Sequence, residues 1–273
     1  MKKILFIFGL GYSANFIAAK ATAEGWQAHG THQTKQESSF VYTGSQKLSK
    51  EGLKKLQQAE AVLISIPPDE RGDIVFHDYA GILQQSKNLK WLGVFSTTGV
   101  YGDANGKWVD ETTPVNPQTQ REKNRVLAEQ QWLSTDLPVH VFRLSGIYGP
   151  GRSALDRARQ NAPIIAKPGH VFNRIHVADI AQAVAASIAQ PTPKKIYNLS
   201  DDLPAPGEEV LRYAYNLLEQ TPPKFILFEQ AELSEMAKEF YAANKCVSAE
   251  KIKQALKIKW LYPSYKEGLA GLK

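Results

Sequence analysis

Ile4-Leu5-Phe6-Ile7-Phe8-Gly9-Leu10-Gly11-Tyr12-Ser13-Ala14 begins only three residues into the chain, after Met1, Lys2 and Lys3. Five apolar residues run into G-x-G-x-x-A, and an alanine-rich helical pattern, Ser13–Ala23, follows. A strand, a tight turn and a helix in that order give each small residue a task. The first glycine allows the turn, the second lets the backbone approach a pyrophosphate, and the third small residue lets helix pack on strand. The helix N-terminus adds unpaired amides and a positive dipole end. Gly9, Leu10, Gly11, Tyr12 and Ser13 are therefore expected to hold a phosphate-bearing dinucleotide. Two lysines before an apolar run also have the look of a secretory leader. The run is short for one, and the glycines lead into a helix, so it reads as a buried first strand of a soluble, cytoplasmic protein.

The same alternation continues outward. Trp26–Thr31, Ala61–Ile66, Leu89–Ser96 and Val139–Leu144 read as strands, and Leu48–Gln58, Asp73–Ser86 and Thr119–Leu133 as helices. Apolar strands alternating with helices imply βαβ units and a parallel sheet covered on both faces. The predicted fold class is α/β, a doubly wound parallel sheet of Rossmann type with a small C-terminal substrate-binding portion. Residues 1–150 form the predicted dinucleotide-binding core. Residues 151–273 complete it and form the substrate-binding portion, with helices at Val177–Ala189, Gly207–Glu219 and Ser248–Leu256, the last capped by Ser248.

Composition narrows the function classes. The 273 residues include 33 Lys and Arg against 27 Asp and Glu, a net charge of +6. Such basicity raises the question of a nucleic-acid partner, but no groove-reading or stacking motif accompanies it, so none is expected. One cysteine, Cys246, excludes an intrachain disulfide framework and speaks against a cysteine metal site, and no metal is expected. No apolar run reaches the ~20 residues of a membrane span, so no membrane partner is expected either.

The cofactor is read at the end of the second strand. An NAD site usually places Asp or Glu there, about 20 residues after the glycines. Here the chain runs Ala28-His29-Gly30-Thr31-His32-Gln33-Thr34-Lys35, with no carboxylate before Glu37. Thr31, His32, Gln33 and Lys35 suit a 2′-phosphate, which points to NADP, with NAD as the alternative. Ser65, Ile66 and Pro67, at the carboxyl end of a later strand, are expected near its ribose or pyrophosphate.

Four further stretches carry a family resemblance: Val94-Phe95-Ser96-Thr97-Thr98-Gly99-Val100-Tyr101-Gly102, Arg143-Leu144-Ser145-Gly146-Ile147-Tyr148-Gly149-Pro150, Asn173-Arg174-Ile175-His176-Val177-Ala178-Asp179 and Tyr197-Asn198-Leu199-Ser200. Taken in order, they resemble the extended and atypical short-chain dehydrogenases/reductases, the NAD-dependent epimerase/dehydratase group. The resemblance implies an NAD(P)-dependent oxidoreductase or epimerase acting on a nucleotide-sugar-like or small carbonyl substrate, with Thr97 contacting the substrate oxygen. The family's Y-x-x-x-K pair is missing. No tyrosine lies between Tyr101 and Tyr148, and Arg121 and Arg125 occupy the tyrosine and lysine positions. A guanidinium keeps its proton, so Arg121 is no acid or base. Arg125 is expected to hold a ribose hydroxyl or phosphate oxygen of the cofactor. Tyr148 is the first candidate for the missing proton donor, ahead of Tyr101 and His176. Arg152, Arg157, Arg159 and Arg174 suit a small anionic substrate. The alternative function is a non-catalytic NADP-binding sensor or regulator.

Overall fold

The computed structural model describes residues 2–37 and 39–273, with the backbone alone for Glu235 and Met236. The main sheet has seven strands: β1 (Ile4–Phe8), β2 (Gln27–His32), β3 (Phe40–Val41), β4 (Ala61–Ile64), β5 (Trp91–Thr97), β6 (Val139–Leu144) and β7 (Lys195–Leu199). The principal helices are α1 (Tyr12–Ala23), α2 (Lys50–Gln58), α3 (Ile74–Gln84), α4 (Gln120–Leu133) and α5 (Val177–Ala189). The strands lie in the order β7-β6-β5-β4-β1-β2-β3. The pairs β1–β2, β1–β4, β2–β3 and β4–β5 run parallel. The expected doubly wound α/β fold is the one found.

Every residue of β1, β4 and β6 is buried, because helices cover both faces of the sheet. On one face Phe6, Phe8, Ile64 and Val94 pack with Tyr79 and Leu83 of α3 and Trp132 of α4. Strand order reverses between β1 and β4, and that reversal is the crevice where ligands bind in open α/β sheets. The register Phe8↔Ile64 sets the loop after β1 beside the loop after β4.

Capping sets the helix starts. The Ser49 hydroxyl accepts the Gly52 amide, Asp73 accepts those of Val75 and Phe76, and Thr119 and Glu122 close a capping box on α4. The helices expected from Leu48 and Asp73 therefore begin at Lys50 and Ile74. β3 was not expected, since two residues carry no periodic pattern.

The chain divides into two compact units, each made of three stretches of sequence. The first comprises Met1–Val100, Pro117–Arg143 and Ile180–Tyr197; the second comprises Tyr101–Asn116, Leu144–Asp179 and Asn198–Lys273. The first unit takes most of α5 and the start of β7 from beyond residue 150, so the chain passes between the units repeatedly. Within the second unit, Gly146–Tyr148 pairs with Arg174–His176, Ile164–Ala166 with Phe225–Leu227, and Trp108–Val109 with Cys246–Val247, all parallel. Leu155, Ile164, Val210, Leu211, Tyr215 and Leu269 build its core. The helix expected from Ser248 runs Glu250–Leu256 with Ala249 at its N-cap, and Ser248 Oγ accepts only the Glu250 amide at 3.4 Å. Among the described residues no helix is long and apolar enough to cross a membrane.

Candidate functional site

The glycine loop is built from three strands. Gly9 has φ +90, a conformation that favours glycine. Its amide donates to Thr31 Oγ1 at 3.0 Å, and the Leu10 amide donates to the Thr31 carbonyl at 2.8 Å. The Leu10 side chain lies over Gly30, where a Cβ would stand 2.4 Å from Leu10 Cγ. Ile66, just after β4, closes on Gly9, with its Cγ1 3.0 Å from where a Cβ would be. The Ser65 amide donates to the Phe8 carbonyl at 2.9 Å, tying the two loops.

Gly11 differs from Gly9. It is the N-cap of α1, and no atom lies within 4 Å of the position its Cβ would take. No side chain caps α1, and its first turn has no acid. A helix leaves its first four amides without intrahelical partners, and its dipole end is positive. Ser13 and Ala14 are buried, so the helix packs against the sheet as the third small residue of the motif allows. An open glycine and an uncapped helix start, beside a strand-order reversal, fit the pyrophosphate of a dinucleotide.

The other residues expected at this site differ in placement. Thr31 is 1% exposed and fastens the loop from below, a different role from contacting a 2′-phosphate. His32 ends β2 half-buried, and Gln33 and Lys35 lie beyond it, exposed. Tyr12 starts α1 with its ring 5.5 Å from that of Phe16. Ser65 and Ile66 are half-buried, and Pro67 is exposed. Sequence reading missed the loop-fastening role of Thr31 and the Leu10–Gly30 fit. A glycine inside a strand is the signal for the second, since it often marks a close approach.

At the carboxyl end of β5, Thr97 is half-buried and its Oγ1 accepts the Gly99 amide at 3.1 Å. α4 packs beside it. Arg125 of α4 donates from Nη1 to the Phe95 carbonyl at 2.6 Å. Burial pushes its pKa down to about 10, against the pull of Asp73. Further along α4, Glu129 meets Arg143 of β6 in a buried two-point pair, 3.1 Å to Nε and 2.6 Å to Nη2.

In the second unit the three proton-donor candidates each have a structural partner. The Tyr148 hydroxyl donates to the Ser264 carbonyl at 3.3 Å and fills the space left by Gly268, where a Cβ would stand 2.0 Å from it. Burial pushes its pKa up. The Tyr101 hydroxyl donates to Asn198 Oδ1 at 2.8 Å. His176 Nδ1 accepts the Ala178 amide at 3.2 Å, and burial lowers its pKa to about 4. Of the four arginines expected around a substrate, Arg174 is half-buried and donates to the carbonyls of Phe172 and Ala205 at 2.9 and 3.0 Å. Arg152, Arg157 and Arg159 are exposed.

No family model matches the chain. Protein YeeZ of Escherichia coli (strain K12) is 32% identical over 250 residues, covering 82% of this chain and 87% of that protein. The chain belongs to the YeeZ family. A functionally unknown conserved protein from Silicibacter pomeroyi is 39% identical, with a TM-score of 0.92 over 99% of this chain and 98% of that one. Human epimerase family protein SDR39U1 (isoform 2), solved with NADPH, is 12% identical, with a TM-score of 0.76 over 98% of each chain. At that identity the likeness is one of fold. The fold is that of the NAD-dependent epimerase/dehydratase group of short-chain dehydrogenases/reductases.

Proposed function

We propose that this YeeZ-family protein binds NADP across the carboxyl ends of β1 and β4. We further propose that it acts as an oxidoreductase or epimerase on an anionic, nucleotide-sugar-like or small carbonyl substrate, without the family's tyrosine relay. One observation carries the reading: α1 starts at an open Gly11 with no capping side chain and no acid in its first turn. When bound, the nicotinamide supplies hydride exchange. The N-terminal end of α1 holds the pyrophosphate, while the Gly9, Leu10 and Gly11 amides, which donate to Thr31 and to the Gly9 carbonyl, fix the shape of the turn, with Ser65, Ile66 and Pro67 beside it. His32, Gln33 and Lys35 offer donors to the 2′-phosphate. Thr97 Oγ1 accepts the Gly99 amide, and the hydroxyl orients the substrate oxygen with its proton. For Tyr148 to pass a proton, its hydroxyl has to leave Ser264.

The commitment of Tyr148, Tyr101 and His176 to structural partners favours a second reading, an NADP-binding regulator without turnover. Calorimetry with NADP and NAD, followed by NADPH consumption across nucleotide sugars and small carbonyl compounds, separates the two. The enzyme reading expects binding with turnover, and the regulator reading expects binding alone. Lys35→Glu is expected to weaken NADP about tenfold and leave NAD nearly unchanged, since it places a carboxylate against the 2′-phosphate. Equal losses for both cofactors would remove Lys35 from the site.

A further inference from the structure

We infer that Arg125 is the anchor for a substrate oxyanion. The substrate class is then a carbonyl or hydroxy compound bearing a carboxylate or phosphate, bound by the remaining N–H donors of the Arg125 fork. The inference rests on the dinucleotide reading and deepens it.

A guanidinium has five N–H donors and no acceptor. Among the described residues, the one acceptor that Arg125 meets is the Phe95 carbonyl, at 2.6 Å from Nη1. The two carboxylates that act on it do so through space. Glu129 spends both oxygens on Arg143, and Asp73 Oδ1 accepts the amides of Val75 and Phe76 at the start of α3. No carboxylate among the described residues forms an ion pair with Arg125. A half-buried cation in that state is costly unless an anion completes it.

Position decides which anion. Phe95 lies two residues before Thr97, the last residue of β5, at the carboxyl end where ligands of such sheets sit. β5 is separated from β1 and its glycine loop by β4. The guanidinium therefore holds the strand two residues before Thr97, and that strand is not a neighbour of β1 and its glycine loop. A ribose hydroxyl would leave its charge uncompensated, whereas a carboxylate or phosphate compensates it and fits the fork at two points. Arg121, one turn earlier on α4, adds positive potential, visible as a lowering of the Arg125 pKa. A second positive charge favours an anion and does nothing for a neutral hydroxyl. Arg125 keeps its proton, so its role is to bind and orient.

The test is calorimetric titration of the whole chain with oxalate, inorganic phosphate and uncharged oxamide, each without and with saturating NADPH. Oxalate or phosphate is expected to bind in both conditions and oxamide in neither. The oxyanion that binds more tightly identifies the source, carboxylate or phosphate. Arg125→Gln is expected to weaken the oxyanion by about 100-fold. Arg125→Lys keeps the charge but loses the fork, and is expected to weaken it by about tenfold. NADPH affinity is expected to stay within about threefold in both variants, because the anchor lies off the cofactor loop. The lysine variant guards against a folding defect in the glutamine variant. Three results would overturn the anchor: oxyanion binding abolished by NADPH, oxyanion binding intact in Arg125→Gln, or NADPH affinity falling in step with oxyanion affinity. Wild type that fails to bind NADPH, yet binds oxalate through Arg125, would overturn the dinucleotide reading and support the anchor.

Discussion

Thr31 holds the glycine loop by a single hydroxyl. Its Oγ1 accepts the Gly9 amide, and replacing it by Val leaves that amide unpaired beneath the turn. Thr31→Val is expected to cost about 1–3 kcal/mol, read by urea unfolding, and to weaken NADP binding because the loop loses its fixed shape. Gly30→Ala acts on the same loop through Leu10, since the added methyl would overlap Leu10 Cγ. It is expected to cost about 1–3 kcal/mol by overpacking. An unchanged unfolding curve for both variants would contradict this account of the loop. The left-handed turn at Gly9 and the open position at Gly11 were legible in the sequence because each depends on its own turn. Thr31 was assigned to the cofactor because its partner is 22 residues away, and only the pairing of β1 with β2 brings them together.

α4 is fixed to the sheet by charge as well as by packing. Glu129 and Arg143 are about 5% exposed or less, and each satisfies the other at two points. Arg143→Met alone strands a buried carboxylate and is expected to cost about 3–5 kcal/mol, whereas Arg143→Met with Glu129→Leu is expected to recover most of it. Chemical denaturation of the single and double variants reads the difference, and an additive loss would contradict it. The capping box at Thr119 and Glu122 lay in the sequence as a local pattern, and so did the absence of a tyrosine on this helix. The surroundings of Tyr148 did not. Its hydroxyl meets Ser264, 116 residues away, and sits where Gly268 has no side chain, so no reading of the loop around Tyr148 shows how it is held.

At the scale of the molecule, buried titratable groups give stability two opposing slopes with pH. Burial lowers His140 and His176 to about 4 from 6.5. Their contribution is full above the unfolded value and is lost as pH falls from about 6.5 toward 4. Burial raises Asp201 to about 8 from 3.8, with Arg174 opposing the shift. Its contribution is full below the unfolded value and is lost as pH rises toward 8. Asp201→Asn is therefore expected to gain stability relative to wild type at pH 8 and little at pH 4, measured by urea unfolding at both. A gain confined to low pH would contradict the assignment. The parallel, doubly wound sheet was legible from apolar strands alternating with helices. That later residues complete the core was legible too, but not that Tyr101–Asn116 belongs to the second unit, because its partners lie near residue 246. The +6 charge that suggested a nucleic acid acquires a local meaning at Lys35 and Arg125 if, as proposed, both hold small anionic ligands. The central claim is that Gly11 opens the start of α1 to a pyrophosphate, and calorimetry of wild type and Gly11→Ala with NADP tests it most directly. The account predicts that wild type binds NADP. It predicts that Gly11→Ala unfolds within about 1 kcal/mol of wild type, since its methyl meets no protein atom, yet binds at least about tenfold more weakly. Wild type that binds neither NADP nor NAD, or Gly11→Ala that binds as tightly as wild type, would contradict it.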